Sequence, residues 1–95
     1  MHVITRKRVI EAEEKYPQVA TALRGWYQTI NQAEFSNFSE LKNTFNSVDK
    51  VGDLYVFNIG GNKLRLIAAI HFNTGRVFIR AILNHTEYDQ GNWKE

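Results

Sequence analysis

The run LYVFNIGGNKLRLIAAIHFNTGRVFIRAILNHTEYD, from Leu54 to Asp89, decides the fold. Apolar residues alternate along it, and two glycine-bearing breaks, Gly60-Gly61 and Thr74-Gly75, interrupt the alternation. Alternation of period two is the pattern of half-buried strands, and Gly-Gly suits a two-residue hairpin turn in which both positions need positive φ. The run therefore predicts three antiparallel strands in two tight hairpins. A short polar segment that brings His85, Glu87, Tyr88 and Asp89 together follows them.

A turn centred on Gly60-Gly61 sets a register. It pairs Phe57 with Leu64 and Tyr55 with Leu66 on one face, and Asn58 with Lys63 and Val56 with Arg65 on the other. The second turn, with Asn73 facing Arg76, adds Phe72 with Val77, Ile70 with Ile79, Ala68 with Ala81 and Leu66 with Leu83 to the apolar face. The opposite face then carries Lys63, Arg65, His71, Arg76, Phe78 and Arg80. Plain strand alternation explains a polar outer face. It does not explain the sign: no Asp or Glu occurs from Leu54 to Thr86. Solvated faces usually mix charges, because like charges across strands oppose pairing, so the single sign points to an anionic partner.

With 95 residues the chain is read as one domain, residues 1–95, able to bury roughly 60 to 70% of its unfolded surface. The absence of cysteine excludes disulfides and thiolate zinc sites. No apolar run approaches the length of a membrane span, so the expected location is the cytoplasm, with no membrane partner. Net charge is only +2. Up to Asp49, Arg6, Lys7, Arg8, Lys15, Arg24 and Lys42 balance Glu11, Glu13, Glu14, Glu34, Glu40 and Asp49, which leaves the excess in the sheet half.

Ahead of the sheet, His2 to Ile4 is β-prone and suits an edge strand. Thr5 is placed to cap a helix to about Lys15, with Val9, Ala12 and Tyr16 on one side. Its first turn carries Arg6, Lys7 and Arg8, the reverse of what the helix dipole favours; packing can absorb that small cost, and contact with a phosphate backbone or an acidic partner is the functional alternative. Pro17 ends that helix and opens the next, whose stripe of Val19, Leu23, Trp26, Tyr27 and Ile30 is wide enough to cover the apolar sheet face to about Gln32. Gly25 inside it suggests close approach to another backbone. Ser39 suits the cap of a short helix from Glu40 to about Phe45, and Asn46 to Gly52 reads as a polar turn. One helical turn near Thr86 would bring Tyr88 and Asp89 within reach of His85; Gly91 would end it and Trp93 would dock the tail.

The opening HVITRK, the segment EKYP at Glu14 to Pro17, the run YVFNIGGNKLRLIAAIHF, the strand VFIRAIL and the closing HTEYD together resemble the HigB-type toxins of bacterial toxin–antitoxin pairs, within the RelE/ParE superfamily. FNIGGNxxR followed some twenty residues later by HxEYD is more specific than either half. Asn84 departs from the Thr expected before the histidine. The resemblance implies an α+β fold: a small RelE-like domain with an antiparallel sheet of two hairpins plus an N-terminal edge strand, N-terminal helices on one face and a short C-terminal helical turn. It implies a ribosome-dependent endoribonuclease that cuts translated mRNA without a cofactor. It also implies a cognate HigA-like antitoxin with a helix-turn-helix domain, through which alone operator DNA would be reached.

RNA cleavage by attack of the 2′-OH on its own phosphate needs a proton acceptor, a proton donor for the leaving 5′-oxygen and stabilisation of a charged phosphorane, for which cations suffice without a metal. Arg65 and Arg80, expected side by side, are the candidates for the phosphate. His85 is the candidate acid or base and Tyr88 a second proton carrier or stacking group. Lys63, Arg76, Phe78 and Asn58 would contact the RNA, and Asp89 would orient His85 or an arginine. Two other readings stay open: a ParE-like toxin that poisons DNA gyrase, and a non-catalytic RNA-binding or protein-binding module.

Overall fold

The computed structural model describes residues 1–61 and 63–94, so Asn62 of the FNIGGN motif lies outside the described residues. β3 (Leu54–Ile59), β4 (Leu64–His71) and β5 (Arg76–Asn84) are antiparallel neighbours. β1 (His2–Val3) adds a parallel edge beside β5, as expected for the N-terminus, and β2 (Asp49–Val51) forms the other edge, giving the order β1-β5-β4-β3-β2. The sequence does not announce β2, which reads as part of a polar turn. An edge strand is hydrogen-bonded on one side only and its side chains can face water, so it needs no apolar pattern.

Both hairpin registers differ from the expected ones, and both in the same direction. Ile59 pairs with Leu64 and Phe57 with Leu66, so four positions rather than two separate β3 from β4. His71 pairs with Arg76 and Ile70 with Val77, which gives the second hairpin a four-residue loop as well. Gly60 and Gly61 do have positive φ, at 63° and 69°. The longer loop wins because it sets Ile59 opposite Leu64, two buried residues, where a two-residue turn would set Ile59 opposite Asn62. A slip of two residues leaves every side chain on its expected face.

A β-bulge breaks that parity in β5. Ala68 pairs with Ile79, but Ile67 pairs with Ala81, so Arg80 is the extra residue. Beyond it Ile82 and Asn84 join Leu66 and Leu64 on the helix-facing side, while Ala81 and Leu83 move to the other face beside Ile67 and Arg65. The expected pairs of Ala68 with Ala81 and Leu66 with Leu83 do not form: the slip puts Ala68 opposite Ile79, and the bulge puts Leu66 opposite Ile82.

α1 (Arg6–Lys15), a 3-10 turn (Pro17–Val19) and α2 (Ala20–Gln32) pack on the apolar face. Leu23, Trp26 and Ile30 from α2 are buried with Phe57, Leu66 and Val77, and each such side chain stabilises the fold by roughly 1.5–3 kcal/mol. Trp26 meets Phe57 edge-on at 5.3 Å, and Phe45 meets the same ring at 5.1 Å. Thr5 stands at the start of α1, but its side chain does not cap it: Thr5 Oγ1 accepts from Ile79 N at 2.7 Å, continuing the β1–β5 ladder one step beyond the strand. The short helix α3 (Phe38–Thr44) begins earlier than expected, with Asn37 rather than Ser39 as its cap; Asn37 Oδ1 accepts from Glu40 N at 2.9 Å. Gly25 approaches no backbone, since a Cβ there would meet nothing within 4 Å. Among the described residues no helix is long and apolar enough to cross a membrane.

Candidate functional site

The last strand delivers the chain directly into α4 (His85–Gln90). Asn84 caps it: Asn84 Oδ1 accepts from Glu87 N at 2.8 Å, and Glu87 Oε1 accepts from Asn84 N at 3.0 Å, a reciprocal capping box. The departure from Thr at this position thus keeps the cap chemistry. Glu87 Oε1 also accepts from the Tyr16 hydroxyl at 3.4 Å, which ties α4 to the end of α1. Gly91, with φ 76°, ends the helix as expected.

This seating presents His85 at the first turn and Asp89 one turn on. His85 Nε2 lies 3.5 Å from Asp89 Oδ2, both side chains largely exposed. Tyr88 turns toward the sheet: the Arg65 guanidinium carbon is 5.4 Å from its ring centroid, and Trp93 stacks on the ring at 5.0 Å, at an angle of 13°. Trp93 Nε1 donates to the Tyr88 carbonyl at 3.0 Å, so the tail docks on Tyr88 itself. Asn58 is the direct cross-strand neighbour of Arg65. Arg65, Tyr88 and Asn58 accordingly form one group, with the His85–Asp89 pair on the same short helix as Tyr88.

Beside His85 opens a cleft of about 570 Å³. Lys63, His85, Thr86, Tyr16 and Gln18 surround it, and Val19 and Leu64 supply apolar surface. The sequence singled out Lys63 and His85 as site residues, though not as members of one cleft, and did not single out Tyr16 and Gln18. The signal was present in EKYP: Pro17 ends α1, and the residues on either side of the break, Tyr16 and Gln18, line the cleft.

Other expected members lie apart. Arg80 is not beside Arg65, because Arg65 pairs with Leu83 and the bulge puts Arg80 opposite Ile67 and Ala68. Arg80 lines a shallow hollow with Asp53, Leu54 and Lys94 instead. Arg76 and Phe78 sit at the opposite end of β5, where Phe78 meets His71 edge-on at 5.3 Å; seven residues of strand from Arg76 to Leu83 span roughly 23 Å. The outer face is also less uniform than expected. Val56 and Ile67 are buried on it, and β2 adds Asp49 opposite Val56.

These features define a class: a small α+β domain of the RelE type, whose outer sheet face ends in a cationic and aromatic group beside a histidine–carboxylate pair. A family model described as HigB_toxin, RelE-like toxic component of a toxin-antitoxin system, matches residues 19–91. The chain is 42% identical over 92 residues to the mRNA interferase toxin HigB of Escherichia coli strain K12, covering 94% of this chain and 88% of that protein. The mRNA interferase HigB of Shigella flexneri matches at the same identity and coverage. That of Escherichia coli O6:H1 is 39% identical over 93 residues, 95% of this chain and 90% of the relative. The chain belongs to the HigB toxin family, the RelE-like toxic components of toxin–antitoxin systems, and membership implies a cognate antitoxin.

Proposed function

We propose that this chain acts as a single-domain mRNA interferase, an endoribonuclease that cuts messages as they are translated on the ribosome and so inhibits translation. The observation that carries the reading is the placement of two groups able to move protons, His85 and Tyr88, on one short helix against Arg65, in a chain 42% identical to an mRNA interferase. In the reaction the 2′-oxygen bonds to phosphorus as the bond to the 5′-oxygen breaks, leaving a 2′,3′-cyclic phosphate and a 5′-hydroxyl. One group takes the 2′-OH proton and another protonates the departing 5′-oxygen; His85, held by Asp89, fills one role and Tyr88 or solvent the other. Arg65 faces the scissile phosphate, where a guanidinium offers paired donors to its oxygens as negative charge grows. Lys63 holds a neighbouring phosphate, and Asn58, Phe78, Arg76 and Arg80 continue the contact along the outer face, Arg80 as part of the track rather than as Arg65's partner. No metal is required by this scheme, because the cations supply the electrostatic stabilisation.

The partners follow from the same reading. A HigA-like antitoxin with a helix-turn-helix domain neutralises the toxin and carries it to operator DNA, and the ribosome and mRNA are its targets in the cytoplasm.

Inducible expression of the wild type, Arg65→Ala and His85→Ala, in cells lacking the neighbouring antitoxin gene, tests the reading through growth and mapping of new mRNA 5′ ends. The wild type arrests growth with new ends inside translated messages. His85→Ala still binds ribosomes but cuts on the order of 10²-fold more slowly. Arrest without new ends would replace the nuclease by a toxin of the gyrase-poisoning kind.

A further inference from the structure

We infer that the cleft beside His85 is a base-reading subsite: it receives one nucleobase of the bound RNA, and the Gln18 carboxamide reads that base's edge. The inference rests on the RNA-cleaving function proposed above and goes beyond it, since it assigns residues that choose where the RNA is cut.

Size and lining carry the first step. At about 570 Å³ the cleft lies in the roughly 300–1,000 Å³ range of sites that hold small organic ligands. Val19 and Leu64 give it an apolar floor, which suits the flat face of a base, and the Tyr16 ring adds aromatic surface at one side. The rim is cationic, with Lys63 in the lining and the Lys15 ammonium 5.4 Å from the Tyr16 ring centroid. A base in the cleft would therefore have its own phosphates beside lysines and its ribose beside His85.

With His85 assigned to proton transfer, elimination among the other described polar side chains of the lining points to Gln18. Asn84 Oδ1 is engaged by Glu87 N in the helix cap, which leaves Asn84 only a donor to offer, and the Tyr16 hydroxyl is engaged by Glu87. Lys63 only donates, and the Thr86 hydroxyl can turn to donate or accept, so neither separates one base from another well. A carboxamide presents a donor and an acceptor side by side, the same arrangement that base edges present. Gln18 is also held in place through its backbone. It follows Pro17 in the 3-10 turn, and the β3–β4 loop is seated so closely against that turn that a Cβ on Gly60 would come within 2.9 Å of Val19 Cγ1. The cleft next to Gln18 is thus bounded by the close approach of Gly60 to the Val19 side chain.

The test maps cut positions transcriptome-wide for the wild type, Gln18→Ala and Gln18→Glu in cells without the antitoxin, and measures how well co-expressed antitoxin neutralises each. Gln18 is exposed, so these variants fold. The wild type is expected to show one base enriched at a fixed position relative to the cut. In Gln18→Ala that enrichment falls several-fold and cutting weakens. In Gln18→Glu, where the side chain can only accept, the preference moves toward bases that offer donors at that edge, a change no structural role of Gln18 would produce. The same enriched base in all three proteins would overturn the inference and leave the nuclease standing. So would loss of all cutting in both variants, which would make Gln18 a general requirement rather than a reader. Unchanged cuts with weakened neutralisation would make the cleft a protein-docking surface. Absence of cuts with the wild type would remove the nuclease reading and the subsite together.

Discussion

The Tyr16 hydroxyl donates to Glu87 Oε1 at 3.4 Å and joins residues 71 positions apart in the chain. α4 buries none of its side chains, so its place on the sheet depends on this link, on the capping box and on the contact of Tyr88 with Arg65. Glu87→Ala removes both the link and half of the box, and should lower stability by about 1–2 kcal/mol in urea unfolding. Glu87→Gln, which can still accept from Asn84 N, should lose less than half of that. Amide exchange in α4 should quicken more than in β4 or α2, because the loss is local.

His85 and Asp89 test a different kind of dependence. Their 3.5 Å pairing is exposed, and exposed pairs one helical turn apart contribute little to stability. Asp89→Asn should therefore leave the unfolding midpoint where it is while slowing cutting, by less than His85→Ala does, since the imidazole remains but loses its orientation. A loss of cutting equal to that of His85→Ala, at unchanged stability, would mean that Asp89 meets the substrate itself.

Alternation gives the faces of β3 and β4 correctly although both hairpin loops are two residues longer than the turn residues suggest, because a two-residue slip preserves parity. Arg80 could not be placed that way. A bulge depends on how β5 meets both β4 and β1, and nothing in VFIRAIL distinguishes the extra residue from a paired one. The His85–Asp89 pair was legible because helical spacing alone assembles it, whereas the turn of Tyr88 toward Arg65 depends on how α4 sits on the sheet. Tyr16 and Gln18 were not, because they reach the cleft through the packing of a 3-10 turn against a distant loop.

Trp93 offers an optical handle on the site. Of the two tryptophans, Trp26 is buried in the core and Trp93 is half-exposed against Tyr88. Addition of a short single-stranded RNA should change the emission of the wild type through Trp93 and leave Trp93→Phe nearly silent. Arg65→Ala should weaken the response in proportion to binding. A full response in Trp93→Phe would place the RNA away from Tyr88 and against the outer-face track proposed here.

Two neighbouring glycines share a backbone conformation and differ in surroundings. Gly60 and Gly61 have φ of 63° and 69°, but a Cβ at Gly61 would meet nothing within 4 Å, whereas one at Gly60 would press on Val19 Cγ1 at 2.9 Å. Gly61→Ala should cost only the left-handed strain of an L-residue, about 1–2 kcal/mol. Gly60→Ala should cost about 1–3 kcal/mol more, since Val19 is buried and has little room to yield. Urea unfolding of the pair measures the difference directly. If the overlap is relieved instead by the loop moving off the 3-10 turn, Gly60→Ala should come close to Gly61→Ala in stability, and its cut sites should lose the base preference that depends on the spacing between Gln18 and the loop.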